Sequence, residues 1–347
     1  MNDCFQAVFF TNSVIELFNL KIKFLLKHNI NIDSKIEGKA LIHCASCMGR
    51  NDMLETLINN NAKIEETTDC FQTSLHIAAE YGCPRVVKFL LENKARLHPT
   101  DFEHRTPLHL AAANGNSKIV KYLLTNNARL EEKDDYNKTP LYLAVQKNHF
   151  KTVKYLVDGG AKTNIKVFLN LQPIHTASKN GNLDIVKCLL ETKADVNVKN
   201  ALGKTALHFA ASQENVEVVK LLLENKANIN SKDVNEKMPI HSAISQGMND
   251  VFEFLLGSVS SKNEDYINYV NNLLKFSNCY YNITKNKHLE IIEMAHYLIG
   301  SGADENIVDR NFRNKILENF SRKRSAATNI YDEVEKIEVL GETMDEE

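Results

Sequence analysis

The sequence predicts an all-α protein assembled from repeated helix–turn–helix units, and three observations lead to that expectation. Six histidines fall on one arithmetic series with a step of 33 residues: His43, His76, His109, His175, His208 and His241. Tyr142 fills the one gap in the series. A second word, with apolar residues at i, i+3 and i+4 as in an amphipathic helix, follows at a fixed offset, for example RVVKFLL and KIVKYLL. A fixed period of this length is the signature of a repeat architecture.

Each unit also carries the start and stop signals of a short first helix. Proline is favoured in a first helical turn because no backbone N–H is needed there, and it occupies that position at Pro107, Pro140, Pro173 and Pro239. Glycine suits the left-handed residue that ends a helix, and it lies six residues after the histidine position at Gly49, Gly82, Gly115, Gly181 and Gly247.

The words around the histidines, such as TPLHLAA and TALHFAA, resemble the T-P-L-H-x-A signature of the ankyrin repeat. The resemblance extends over about residues 2–310 and about nine units, with degenerate units at the ends as repeat arrays require. It implies an ankyrin-repeat solenoid with β-turn or hairpin fingers between the helix pairs. We expect four regions: a degenerate N-terminal capping repeat at 1–34, seven in-phase repeats at 35–257, a ten-residue insertion with a degenerate C-terminal capping repeat at 258–310, and a basic cluster followed by an acidic tail without fixed structure at 311–347.

The six series histidines could suggest a metal site, but a structural role is the better prediction. Adjacent repeats stack at about 8–10 Å, whereas a zinc ligand lies about 2 Å from its metal. Two of these histidines therefore cannot easily share an ion. We expect each of them to hydrogen-bond the backbone of the neighbouring finger and the threonine hydroxyl of its own word.

Catalytic and cofactor motifs are absent from the sequence. It contains no phosphate-binding loop, dinucleotide-binding glycine motif, nucleophile elbow or H-E-x-x-H helix, so we expect no enzyme, no cofactor and no metal. Cys44 and Cys47 form a C-x-x-C inside a predicted first helix, where a packing role is favoured over redox chemistry. The seven cysteines are odd in number and sparse, which favours a reducing compartment, the cytoplasm.

One finger departs from the polar turn that the repeat requires. It reads KVFLNLQP, with apolar residues at a position where other units have D-x-x-G. Exposed apolar patches usually mark a contact, and interface centres favour aromatic residues and arginine. In ankyrin families partners lie on the concave face made by fingers and first helices. We therefore expect a hot spot centred on Phe168 and flanked by Phe102 and Tyr136, with Leu169, Leu171, Arg105, Lys138, Tyr81 and Leu202 completing the contact set. The alternative is that these side chains fold against adjacent fingers.

The function that the resemblance implies is an adaptor or scaffold that binds a protein partner as a monomer. The net charge of −2 gives no indication of nucleic-acid binding, and no stretch approaches the ~20 apolar residues of a membrane span. A nuclear location through the SRKR run at 321–324 stays open, as does phosphorylation of Tyr331.

Two alternatives remain at this point. A latrotoxin-like secreted toxin also carries C-terminal ankyrin repeats, with SRKR as a processing site, if the chain is a fragment. A ubiquitin-ligase substrate adaptor is the second, although 311–347 holds no convincing F-box or SOCS-box.

Overall fold

The computed structural model of the protein describes residues 12–28, 30–259, 264–283 and 288–319. The SRKR run, Tyr331 and the acidic tail lie outside these ranges. The chain divides into two compact units, Met1–Asp195 (unit 1) and Val196–Glu347 (unit 2).

Unit 1 holds eleven α-helices within the described residues, most of them seven to nine residues long. They are α1 (Asn12–Lys27), α2 (Leu41–Cys47), α3 (Asn51–Asn59), α4 (Ser74–Glu80), α5 (Pro84–Glu92), α6 (Pro107–Ala113), α7 (Ser117–Thr125), α8 (Pro140–Gln146), α9 (Phe150–Asp158), α10 (Pro173–Asn180) and α11 (Leu183–Glu191).

These helices form two rows in unit 1. The first helices of successive repeats, α2, α4, α6, α8 and α10, each contact the next in order. The second helices do the same, and each also packs against its own first helix. Helix α1 contacts α3, which places it as the second helix of a preceding repeat.

The core of each repeat follows from the two sequence words. In the first helix Leu75 and Ala78 are buried, and in the second helix Val86, Val87 and Leu90 are fully buried. The small alanine allows the neighbouring first helix to approach closely, and the branched and leucine side chains fill the layer between the rows. The same positions are buried every 33 residues, which is why the repeats stack.

Unit 2 continues the same helix pairs and then changes. Its described helices are α12 (Ala206–Ala211), α13 (Val216–Glu224), α14 (Pro239–Gln246), α15 (Asn249–Ser258), α16 (Glu264–Ile283), α17 (His288–Gly300) and α18 (residues 310–319), with a 3-10 turn at Glu305–Ile307. Helix α16 contacts α14, and α17 contacts α15. The predicted insertion therefore lies in a first helix, which is lengthened to 20 residues.

The all-α prediction is confirmed. The described residues contain no β-strand, and the fingers show only two isolated bridges, Ile36 with Lys39 and Thr67 with Thr73. No described helix is long and apolar enough to cross a membrane.

Candidate functional site

Seven turns, called fingers here, precede the first helices and carry most of the residues of interest. Unit 1 contains finger 1 (35–40), finger 2 (68–73), finger 3 (101–106), finger 4 (134–139) and finger 5 (167–172), and unit 2 contains finger 6 (200–205) and finger 7 (233–238).

The series histidines connect one repeat to the next. Nδ1 of His76 accepts the N–H of Thr73 at 3.1 Å, and Nε2 lies 2.9 Å from the carbonyl oxygen of Arg105 in the next finger. His109 and His208 make the equivalent contacts with the carbonyls of Lys138 and Lys237. Burial lowers the pKa of His76 to about 4, so the ring is neutral and can accept on one nitrogen while donating from the other.

A buried acceptor side chain shapes the ordinary finger. In finger 3 the carboxylate of Asp101 accepts the N–H of Glu103 at 3.0 Å and that of Arg105 at 2.8 Å. His104 then takes a positive φ of 57°. Asp134, Asn200 and Asp233 do the same work in fingers 4, 6 and 7. This side-chain mimic of a backbone turn is the reason why Asp and Asn are favoured there.

Finger 5 has Val167 at that position and no side-chain acceptor. The N–H of Leu171 bonds instead to the carbonyl of Phe168 at 3.3 Å, and the turn moves along by one residue. Leu169 and Asn170 both take positive φ, at 57° and 54°, within a short turn at Phe168–Asn170. A left-handed leucine costs roughly 1–2 kcal/mol, so this finger stores strain that the others avoid.

Finger 1 shows that the missing acceptor is the cause. Lys35 occupies the acceptor position there, and Glu37 and Gly38 take positive φ at the two positions equivalent to Leu169 and Asn170. The bond from the N–H of Lys39 to the carbonyl of Ile36 matches the bond from Leu171 to Phe168. Two fingers without the acceptor thus adopt the same turn.

Finger 5 is also tied differently to the rest of unit 1. Tyr142 stands in the histidine position of the preceding repeat, and its hydroxyl lies 2.9 Å from the hydroxyl of Thr176 in α10, not beside a finger carbonyl. The N–H of Phe102 bonds to the carbonyl of Cys70, and Asp135 bonds to Glu103 in the same way. Among the described residues, no corresponding backbone bond joins finger 5 to finger 4.

The apolar residues of finger 5 divide between the core and solvent. Val167 is buried and Leu171 is half-buried, whereas Phe168 is 77% exposed and Leu169 is 40% exposed. The exposed pair lies at the tip of the turn, where the unusual backbone turns both residues outward.

Exposed large apolar side chains recur on the other fingers. Unit 1 carries Phe71, Phe102 and Tyr136, and unit 2 carries Leu202 and Val234. Tyr136 lies on the finger next to Phe168, but Phe102 is one finger further away. Sequence reasoning missed Phe71 and Val234, which could have been found by inspecting every finger position in the 33-residue alignment.

Arg105 is engaged within its own finger. Its guanidinium lies 2.8–2.9 Å from the buried carboxylate of Asp101 and 3.0 Å from Glu103. An arginine that satisfies a buried carboxylate has a structural role, so it is a poorer candidate for partner contact than the sequence predicts.

Lys138 and Tyr136 lie together on finger 4. The ammonium of Lys138 is 5.4 Å from the centre of the Tyr136 ring and 3.1 Å from Oε1 of Gln146 in α8. Gln72 in finger 2 similarly contacts Glu80 in α4. The last residue before each word and the fourth residue after its histidine position are therefore neighbours in these repeats.

The ankyrin family profile, with three repeats per copy, matches residues 75–167 and 174–268. The chain belongs to the ankyrin-repeat family. A solved structure of the human ASB11 ankyrin repeat domain is similar, with 29% identity and a TM-score of 0.60 over 65% of this chain and all of that one. No curated protein sequence matches the chain.

In the fifth ankyrin repeat, Leu171 and Lys179 occupy the paired positions that Gln72 and Glu80 hold in finger 2 and α4. Lys166 and Lys179 are exposed, and no salt bridge of the described residues involves either of them. We call the set Tyr136, Lys138, Lys166, Phe168, Leu169 and Lys179 the Phe168 surface. It combines apolar side chains with uncompensated positive charge.

Tyr81 and the cysteines form a separate group at α2 and α4. Tyr81 is 45% exposed, and burial raises its pKa. Burial also raises the pKa of Cys47, and that of Cys83 to about 11. Reactive thiols have lowered pKa values, so these cysteines are suited to packing. The described residues contain no group of three or more His, Cys, Asp or Glu side chains that could hold a metal.

Proposed function

We propose that this ankyrin-repeat protein is an adaptor that binds a protein partner through the Phe168 surface. The ankyrin fold is typically a binding scaffold without enzymatic activity, and the partner-specific part must lie where a repeat departs from the common pattern.

The observation that carries the proposal is the strained, solvent-facing turn of finger 5. A leucine at φ 57° beside a phenylalanine that is 77% exposed costs stability twice, through backbone strain and through apolar area left in water. A contact with a partner would recover the second cost. Aromatic side chains at the centre of an interface commonly contribute 2 kcal/mol or more to binding.

The supporting geometry extends beyond the two apolar residues. Tyr136 is 61% exposed, and Lys138 lies across its ring, so finger 4 adds a second aromatic side chain. Phe102 and Leu202 are exposed on other fingers and serve as secondary contacts in the proposal.

Affinity purification with mass spectrometry, on the full chain, tests the proposal. Phe168→Ala with Leu169→Ala should reduce recovery of the specific partner about 30-fold, which corresponds to about 2 kcal/mol. Phe71→Ala is the matched control because Phe71 is similarly exposed, at 57%, but lies on an acidic finger. Circular dichroism establishes that each variant is folded. Equal recovery from the double variant and the control contradicts the proposal.

The remaining expectations enter as parts of the same proposal. The protein acts as a monomer in the cytoplasm, its capping repeats lie at 1–34 and within 258–310, and its partner is a protein.

A further inference from the structure

The acidic tail has the chemistry that the Phe168 surface would bind, and we propose that residues 326–347 of the same chain occupy this surface and compete with the protein partner. The inference rests on the proposed function, because the tail would use the same residues as the partner. It commits to one occupant, and the argument has three steps.

The first step is the charge of the repeat that carries the surface. Residues 162–180, which include finger 5 and α10, contain Lys162, Lys166 and Lys179 and no acidic residue. The equivalent stretch of the second repeat, 63–81, contains four acidic residues and one lysine. Lysines without a nearby carboxylate attract an anionic segment, with an effect that salt weakens.

The second step is the composition of the tail. Residues 326–347 contain eight acidic residues and a single lysine. Large apolar side chains are interleaved with the acids: Ile330, Tyr331, Val334, Ile337, Val339 and Leu340. The tail therefore brings both kinds of group that the Phe168 surface lacks, carboxylates for its lysines and apolar side chains for Phe168 and Leu169.

The third step excludes the other apolar finger of unit 1 that is comparably exposed. Phe71 lies beside Asp69 and in a repeat that also carries Glu65, Glu66 and Glu80, so it repels an acidic segment. The surface charge, and not the exposed aromatic side chain alone, selects finger 5.

Tethering makes weak docking sufficient. A segment linked to its site experiences an effective concentration in the millimolar range when the connecting chain is short and flexible. Docking of this kind is independent of protein concentration, whereas exchange between two copies depends on it.

The absence of tryptophan from the sequence permits a direct test. Tyr331→Trp in the full chain introduces a single tryptophan in the middle of the tail. Docking predicts emission at a shorter wavelength, and less quenching by acrylamide, than for a free peptide of residues 326–347 with the same substitution. The difference should not change on dilution and should diminish in 1 M NaCl, where the Debye length is about 3 Å.

Surface variants of the Tyr331→Trp chain identify the docking site. Phe168→Ser with Leu169→Ser, and separately Lys166→Gln with Lys179→Gln, should shift the emission to that of the free peptide. Phe71→Ser is the control for the first pair. Lys118→Gln with Lys151→Gln, two exposed lysines on α7 and α9, is the control for the second. Emission equal to that of the free peptide in the parent chain overturns the inference, as do a signal unaffected by all four variants and a signal that depends on protein concentration.

Partner binding separates the two proposals. Substitution of Asp332→Asn, Glu333→Gln, Glu335→Gln and Glu338→Gln should release the tail and raise partner recovery several-fold. If the tryptophan behaves as in the free peptide while the Phe168 variants still lose the partner, the tail inference fails and the adaptor proposal stands. If the tail docks while the Phe168 variants keep the partner, the adaptor proposal fails at this surface.

Discussion

Fingers 3 and 5 have the same length and the same place in their repeats, yet they fold differently. In finger 3 the buried Asp101 accepts two backbone N–H groups, and one residue takes positive φ. In finger 5 Val167 offers no acceptor, and two residues take positive φ. The comparison teaches that one side chain with an oxygen atom fixes the turn, and that its loss moves two apolar residues to the tip.

The two fingers also differ in how they are held. Finger 3 receives a histidine bond from His76 and a backbone bond to finger 2. The repeat before finger 5 has Tyr142, whose hydroxyl bonds to α10. A turn with fewer ties to its neighbours opens more easily, which suits a surface that must adapt to a partner.

The largest expected effect comes from removing the acceptor of finger 3. Asp101→Ala should lower the free energy of unfolding by about 3 kcal/mol, because it leaves two N–H groups and the guanidinium of Arg105 without their buried partner. Urea denaturation followed by circular dichroism measures the change. Asp135→Ala, which removes an exposed carboxylate, should cost under about 1 kcal/mol. Equal losses in the two variants would show that the carboxylate does not organise the turn.

Acid should weaken the histidine tie to finger 3. Because the pKa of His76 is lowered to about 4 in the folded protein, the unfolded chain binds a proton at a higher pH than the folded one. Stability is therefore lost as the pH falls from about 6.5 towards 4, by about 2 kcal/mol between pH 7.5 and 5 for this one histidine. Denaturation curves across that range should show a smaller pH dependence in His76→Gln. An unchanged pH dependence would mean that His76 is protonated in the folded state.

A smaller effect is expected at the tie that replaces the histidine bond before finger 5. Tyr142→Phe removes the hydroxyl that lies 2.9 Å from Thr176 and should cost about 1 kcal/mol. Thr176→Val removes the other partner, and the double variant should cost less than the sum of the two. Additive losses in this double-mutant cycle would show that the two hydroxyls do not interact.

The smallest effect is a gain. Leu169→Gly should raise the free energy of unfolding by up to about 1 kcal/mol, since glycine adopts positive φ without strain. Glu103→Gly, at the same position of finger 3, should destabilise instead, because that residue lies outside the positive-φ set. If both substitutions destabilise by the same amount, the strain assigned to finger 5 is absent.

Sequence reasoning reached the repeat period, the helix pairs and the apolar character of finger 5. It did not reach the different fates of its side chains: Val167 is buried, Leu171 is half-buried, and Phe168 and Leu169 are exposed. It also counted Arg105 as a contact residue, whereas Asp101 and Glu103 hold its guanidinium. A side chain's partner in its own finger depends on turn geometry, which the residue types do not state by themselves.

The sequence alone determined the repeat, because a 33-residue spacing of histidine, small and branched residues leaves helix pairs no other way to bury their apolar faces. The tertiary structure decided which finger residues face solvent, and it showed that the ten-residue insertion lengthens a first helix, α16, to 20 residues. The physical reason is that burial in a stacked repeat is a property of the neighbouring repeats as well as of the residue. The turn at finger 5 follows from a hydrogen bond that Val167 cannot accept.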